Sequence, residues 1–321
     1  MEYGRYIIYI IVLILIGILY EKYKLHNIKE EDEKQYELVK RFLLNDSGIG
    51  KHNLPIIWIH ASKEVNSRWW PSFHSRNTKC LNQPYQFITI KSVIDTCGKS
   101  FNVCLIDDNS FKKLIPDWNI DLDRLGEPIK SKFRELAFAR LLYAYGGFRI
   151  PSSFLSTKNL ISIYETTIKD DGIIIGELTN NSVSSEDYTY MVNPKFLGCK
   201  QGNNTINEYI LYLEHMISND YTADSVFTGE IENWWKNVDT NIIPSELLGV
   251  IDTDNKPVTV ERLSQNSYIS LHDHCYGVYI PEYKILNRTA FQWLARLSPA
   301  QILNSDTALG KILLVSSCQN L

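Results

Sequence analysis

The chain has 321 residues, a formal net charge of −4, 44% hydrophobic and 22% charged residues, and 7 Trp beside 19 Tyr. Its Lys and Arg are scattered rather than gathered in a stripe, which argues against nucleic acid as a partner. Roughly 270 residues beyond the N-terminal segment can bury about three quarters of their unfolded surface, so a core forms without disulfide staples.

The first element is apolar. Tyr6 to Tyr20 reads YIIYIIVLILIGILY. Extended from Tyr3 to Tyr23 it spans about 20 residues, close to what a bilayer crossing needs. Tyrosines at both ends suit an interfacial belt. A cleaved signal peptide is the rival reading, but Tyr20-Glu21-Lys22-Tyr23 offers no small-x-small site. Residues 1–23 are therefore expected to be an uncleaved anchor of a single-pass membrane protein. Lys22, Lys24 and Lys29 follow the span and only Arg5 precedes it. The positive-inside rule then favours the cytoplasmic side for the large domain.

Residues 24–50 read as a stalk helix, with Tyr36, Val39 and Phe42/Leu43 at helical spacing and a stop near Asp46-Ser47-Gly48. Residues 51–321 read as one α/β domain. Leu54 to His60 is a short continuous apolar run, the pattern of a buried parallel strand. Tyr85 to Ile90, Phe101 to Ile106 and Gly172 to Gly176 are further strand candidates. Ile90 to Cys97 and, more strongly, Ser131 to Tyr145 are helical, the latter stopping at Gly146-Gly147. Helices follow over Asn207 to Met216 and Ala223 to Asn237. Tyr268 to Leu271 and Gly277 to Ile280 look strand-like, and a closing helix covers Asn287 to Leu297. Alternating strands and helices predict a mainly parallel sheet flanked by helices. The six Cys form no CxxC pair, so buried reduced thiols are expected rather than a zinc site.

Several groups can carry chemistry. Asp107 and Asp108 end a predicted strand, where open α/β sheets bind ligands. They can hold a divalent cation or a ribose, or simply close a turn. His60 ends the first strand and is a second substrate-binding candidate. Asn66-Ser67-Arg68-Trp69-Trp70 follows it; Arg68 and the Trp pair suit a nucleotide or glycan, or plain packing. His272 and His274 fall on one face if their segment is extended, a spacing that can share a metal with Asp108. No Gly-x-Ser-x-Gly elbow or phosphate-cradling GxxxxGK loop is present.

The helix ending in Tyr145-Gly146-Gly147, followed by Phe148-Arg149-Ile150-Pro151-Ser152-Ser153-Phe154, resembles the core signature of family 32 glycosyltransferases and their capsular-polysaccharide relatives. The resemblance covers roughly Leu54 to Phe154 and, more vaguely, Phe227-Thr228-Gly229. It implies a glycosyltransferase-A-like sheet, a nucleotide-sugar donor, a glycan acceptor, and Mn²⁺ or Mg²⁺ held by an Asp-x-Asp motif. Here those aspartates fall on Pro151 and Ser153. The family's helix acid falls on Glu135 and its arginine on Phe138, with Arg140 half a turn on. Arg149 can neutralise a diphosphate without metal, beside Ser152 and Ser153. Glu230 is the candidate base, and Asp107 or Asp108 the contact to ribose or cation. A lumenal enzyme of this kind needs the opposite topology to the one the lysines favour, so orientation stays open. The whole chain also resembles uncharacterised membrane-anchored proteins of large DNA viruses, in stretches such as Leu81-Asn82-Gln83-Pro84-Tyr85 and Asn193-Pro194-Lys195-Phe196. The expectation is a membrane-anchored glycosyltransferase-like protein. The alternative is a catalytically inactive, membrane-tethered structural or assembly protein.

Overall fold

The computed structural model describes residues 54–61, 83–168, 172–179, 190–219 and 224–319, together with Gly17, Leu19 and Tyr20. The chain divides into two units, Met1–Asn53 and Leu54–Leu321. The anchor over 1–23 (those three helical residues apart), the stalk over 24–50, and Arg68 with Trp69 and Trp70 lie outside the described residues. Among the described residues, no helix is long and apolar enough to cross a membrane.

The second unit opens with β1 (Ile56–His60), α1 (Gln86–Cys97), β2 (Asn102–Ile106), α2 (Phe111–Leu114), α3 (Ile129–Tyr145), β3 (Gly147–Ile150) and β4 (Phe154–Ser156). It continues through α4 (Ile161–Ile168), β5 (Ile174–Thr179), β6 (Tyr190–Cys199), α5 (Asn204–Ser218), α6 (Asp224–Lys236) and β7 (Asn241–Ile243). It ends with α7 (Val260–Ser264), β8 (Gly277–Tyr279), α8 (Glu282–Asn287), α9 (Pro299–Leu303) and α10 (Ala308–Gln319).

Six strands form one mixed sheet in the order β2-β1-β3-β6-β5-β7, and β4 pairs with β8 in a small ribbon. β1 is parallel to both β2 and β3, β5 is parallel to β7, and only β6 runs against its neighbours. The fold is thus α/β, with a mostly parallel sheet flanked by helices. Strand alternation sorts the faces. Ile57, Ile59, Phe148 and Ile150 join Ile90 and Val93 of α1 and Tyr164 of α4 in one core cluster. Trp58, His60 and Arg149 point the other way, toward α3: Trp58 meets Tyr145, and His60 and Arg149 both meet Phe138.

Three expected elements are corrected. Tyr85 to Ile90 is helical, not a strand. Its β-branched residues are overruled because buried Gln86, Thr89, Ile90, Val93 and Cys97 recur at helical spacing against the core. Tyr268 to Leu271 forms no strand: Tyr268 is exposed, while Ile269 and Leu271 pack onto a second apolar cluster with β8 and the C-terminal helices. Asn287 to Leu297 is no closing helix. Arg288 turns extended after α8, two 3₁₀ turns follow, and α10 closes the chain. Ser298 and Gln301 start α9 with a capping box around Pro299 at its first turn.

β6 carries an internal proline. Ile175 pairs with Leu197 and Gly176 with Asn193, so β6 advances four residues while β5 advances one. Pro194, Lys195 and Phe196 bulge out of the ladder there, the place in a sheet where a residue without an N–H is tolerated.

Candidate functional site

β1 has β2 on one side and β3 on the other, all parallel. Connections therefore leave β1 in opposite directions, and the crevice beyond the carboxyl ends of these strands is the place where such sheets take ligands. His60 ends β1, Asp107 and Asp108 follow β2, and Pro151 to Ser153 follow β3.

The adjacent aspartates have separate tasks. Asp107 closes the turn into α2: its Oδ1 accepts hydrogen bonds from the Ser110 amide at 2.9 Å and the Ser110 hydroxyl at 2.7 Å. Asp108 faces α3 and gathers three donors. Arg134 Nε donates to Oδ1 at 2.8 Å and Nη2 to Oδ2 at 2.7 Å, a bidentate fork. Lys130 Nζ lies 3.3 Å from Oδ2, and His60 Nε2 is 2.9 Å from Oδ1. Lys130 and Arg134 stand one turn apart on α3 and so reach the same carboxylate. Burial pushes the Asp108 carboxyl up, but hydrogen bonds from Arg134 and His60 outweigh it and hold the group well below the usual carboxylate range. Burial pushes the His60 imidazole below its ordinary 6.5; Asp108 opposes this and Arg134 reinforces it. His60 is therefore neutral at pH 7. An ionised carboxylate only accepts, so its Nε2 carries the proton.

This donor set does not suit Mn²⁺ or Mg²⁺. Both oxygens of Asp108 already accept from cationic side chains, and a divalent ion would have to displace Arg134. His272 and His274 do not supply a replacement. Their segment is a turn, closed by the Cys275 amide donating to the His272 carbonyl at 2.9 Å, so the one-face geometry of a strand does not arise. His272 Nε2 is 3.0 Å from the Asp252 carbonyl, and His274 is exposed. Among the described residues, no group of three or more His, Cys, Asp or Glu is placed to hold a metal ion.

A second network lies beside the first. Arg149 Nη1 donates to both Glu135 oxygens, at 2.9 and 2.8 Å, and the Tyr209 hydroxyl donates to Glu135 Oε1 at 3.0 Å. The Arg149 guanidinium lies 4.0 Å from the centre of the Phe138 ring, which also meets His60 edge-on at 5.8 Å. Arg140 goes elsewhere, to Glu214 at 2.5 Å and over Trp118. The guanidinium beside position 138 is thus that of Arg149, not Arg140.

Other expected residues are placed as follows. Ser152 and Ser153 are buried; their carbonyls accept from Thr89 Oγ1 at 2.6 Å and the Ile280 amide at 3.2 Å. The Ser153 hydroxyl is buried with no hydrogen-bond partner among the described residues. Glu230 is exposed on α6, and its carbonyl accepts from Tyr212. Glu232, two residues on, is the buried acid: burial pushes its carboxyl up, and Asn193 Nδ2 reaches it at 3.4 Å. Sequence reading misses Lys130, Arg134, Tyr209 and Glu232. Lys130 and Arg134 form an i, i+4 cationic pair on α3, hidden from the sequence because the expected helix begins at Ser131 and leaves Lys130 outside it. Among the described residues, Cys97, Cys104, Cys199 and Cys275 are buried thiols outside any disulfide; Cys80 lies outside the described residues.

The His60 shift has a measurable sign. Unfolded His60 takes a proton near 6.5, whereas the folded site resists it to lower pH. Below that value the unfolded chain binds more protons, so acidification removes stability, by up to about 1.4 kcal/mol per pH unit. Asp108 acts later: its contribution is complete above 3.8 and is lost as pH falls further. Urea midpoints at about pH 7.5 and about pH 5.5 should differ less in His60→Gln than in the parent. An equal acid loss in both would refute the assignment.

No family model matches this chain, and no curated protein matches it.

Proposed function

We propose that this chain is a glycosyltransferase-A-like domain, anchored through residues 1–23, that holds the diphosphate of a nucleotide sugar with fixed cationic side chains instead of a metal ion. The observation that carries the reading is the convergence of Lys130, Arg134 and His60 on Asp108 at the carboxyl ends of β1 and β2. Lys130 and Arg134 bring two permanent cations to the place where α/β sheets bind ligands, faced by Asp108 and, 3.7 Å from Arg134, by the exposed carboxylate of Glu127. A diphosphate needs such charge, and fixed donors in a dry site stabilise the charge that develops on a leaving diphosphate. Arg149 is nearby but compensated by Glu135, so its part is to orient rather than to neutralise. Glu230 remains the candidate base. A divalent ion enters no step of this reading, because Asp108 is engaged by Arg134.

The test is calorimetry on the intact protein with UDP- and GDP-sugars, with and without Mn²⁺. Binding is expected to be the same in both conditions. Arg134→Met should weaken it about tenfold or more, the loss of one charge-assisted contact, while Asp107→Ala leaves it unchanged.

A second reading has its own observation. Pro151 to Ser153, where the family likeness calls for two metal-binding carboxylates, is packed beneath α1 and β8 with Ser153 fully buried. That favours a non-catalytic, membrane-tethered structural protein of the kind the viral resemblance implies. Absence of heat with every UDP- and GDP-sugar would put this reading in place of the first.

A further inference from the structure

One buried acid takes no part in the site described above. Glu232 is buried on α6 together with Phe227, Ile231 and Trp235, and its Oε1 accepts from Asn193 Nδ2 at 3.4 Å, the long end of hydrogen-bond range. Asn193 is itself buried and is the last residue of β6 paired with β5 before the bulge. Its Oδ1 accepts from the Lys195 amide at 3.1 Å. One side chain thus ties the bulge to α6. We propose that Glu232 and Asn193 form a proton-operated latch that closes α6 onto the β6 bulge.

The geometry asks for a proton. An ionised carboxylate only accepts, so in that state Glu232 keeps the single long bond. A buried carboxylate so poorly partnered is costly. Among the described residues, the charged groups of the surrounding elements are directed elsewhere. Lys195 of β6 donates to the Tyr279 hydroxyl at 3.1 Å and lies 3.8 Å from Glu282 Oε1, which belongs to the carboxylate that also accepts from Gln86. The Lys132 ammonium of α3 lies 5.3 Å from the centre of the Phe227 ring. Glu135 of α3 is held by Arg149 and by Tyr209 of α5, and Glu214 of α5 pairs with Arg140. Glu177 of β5 accepts from the Ser245 amide at 3.1 Å. On α6 itself, Glu230 and Lys236 are exposed. Protonated, Glu232 gains an O–H that can donate to Asn193 Oδ1, where the Lys195 amide leaves one lone pair, while its carbonyl oxygen keeps the bond from Nδ2. The acid–amide pair is then closed in both directions.

Burial pushes the Glu232 carboxyl above its ordinary 4.5, and the Asn193 hydrogen bond offsets only part of this. The sign is opposite to that of His60. A carboxyl raised in the folded state contributes fully below 4.5, and its contribution is lost as pH rises through the raised value. The latch is therefore closed in acid and loosened toward neutrality. α6 also carries Glu230, so a link from the latch to chemistry rests on the nucleotide-sugar reading; the latch itself does not.

The experiment is native-state hydrogen exchange on the intact protein between about pH 5 and about pH 7.5, read by mass spectrometry and corrected for the intrinsic pH dependence of exchange. Protection of α6 relative to α3 is expected to fall as pH rises, by up to about tenfold per pH unit. Glu232→Gln offers the donor and acceptor of the protonated acid without its titration. It should hold α6 equally protected across the range and melt higher than the parent at about pH 7.5, with the gain shrinking toward about pH 5. A flat parent profile, an equal fall in Glu232→Gln, or a variant that melts lower than the parent at about pH 7.5 would each overturn the latch. No sugar or nucleotide enters this measurement, so a failure to bind one bears on the functional reading alone.

Discussion

Replacing Asp108 with Ala should destabilise the Leu54–Leu321 unit by roughly 3–5 kcal/mol, because it removes the shared counter-ion of a nearly buried cationic cluster. Lys130 and Arg134 keep only 8% and 19% side-chain exposure, and Asp108 itself 13%. Without the carboxylate, two like charges one helical turn apart lose the counter-ion they share, and Arg134 is left with the exposed Glu127 at 3.7 Å. Asp107→Ala is the internal control. That residue closes the turn at Ser110, and losing such a cap costs about 1 kcal/mol. Urea unfolding of the two variants side by side decides the matter. Equal losses would mean that the Asp108 cluster is solvated and carries no special electrostatic weight. The same cluster carries the functional reading, so the stability measurement is needed before any binding loss in an Arg134 variant is attributed to ligand contact.

Gly147→Ala should be nearly as damaging, at about 3–5 kcal/mol, for a backbone reason. Gly147 has φ +103°, and a Cβ there would stand 2.5 Å from the Ile56 carbonyl oxygen and 3.0 Å from Trp58 Nε1. Neither neighbour can yield. Ile56 belongs to β1, held between β2 and β3, and Trp58 is fully buried with its indole N–H donating to the Gly146 carbonyl at 2.9 Å. Gly202→Ala separates strain from crowding. Its φ is +71° but a Cβ would meet nothing within 4 Å, so only the left-handed penalty of about 1–2 kcal/mol applies. Thermal melts of both variants test this, and a mild Gly147→Ala would show that β3 can shift away from β1. The Tyr-Gly-Gly signature thus has a physical cause independent of chemistry. A helix must stop, reverse and enter a sheet within two residues while touching the neighbouring strand.

That signature also shows why some of the fold was legible and some was not. The apolar run at Ile56 to Ile59, the helix up to Tyr145 and its glycine stop are local: each follows from side-chain periodicity or backbone conformation within a few residues. Tyr85 to Ile90 misleads because β-branched residues favour strands locally, while packing against the core selects the helix. β6 is hidden because Pro194 interrupts it, and only the pairing of the residues on either side with β3 and β5 makes it a strand. His272 and His274 mislead in the opposite sense, since a face exists only if the strand does.

The sequence by itself determined the α/β alternation, the helix stop at Gly146-Gly147 and the delivery of Asp107 and Asp108 to a strand end, because these depend on short-range conformational preference. Tertiary structure alone decided that Lys130, Arg134 and His60 converge on Asp108, that Arg149 rather than Arg140 lies beside Phe138, and that Gln86, Lys195, Tyr279 and Glu282 meet. Those are contacts between residues tens to hundreds of positions apart. They are set by strand order and by the packing of α3, β6 and α8, and no local pattern records them.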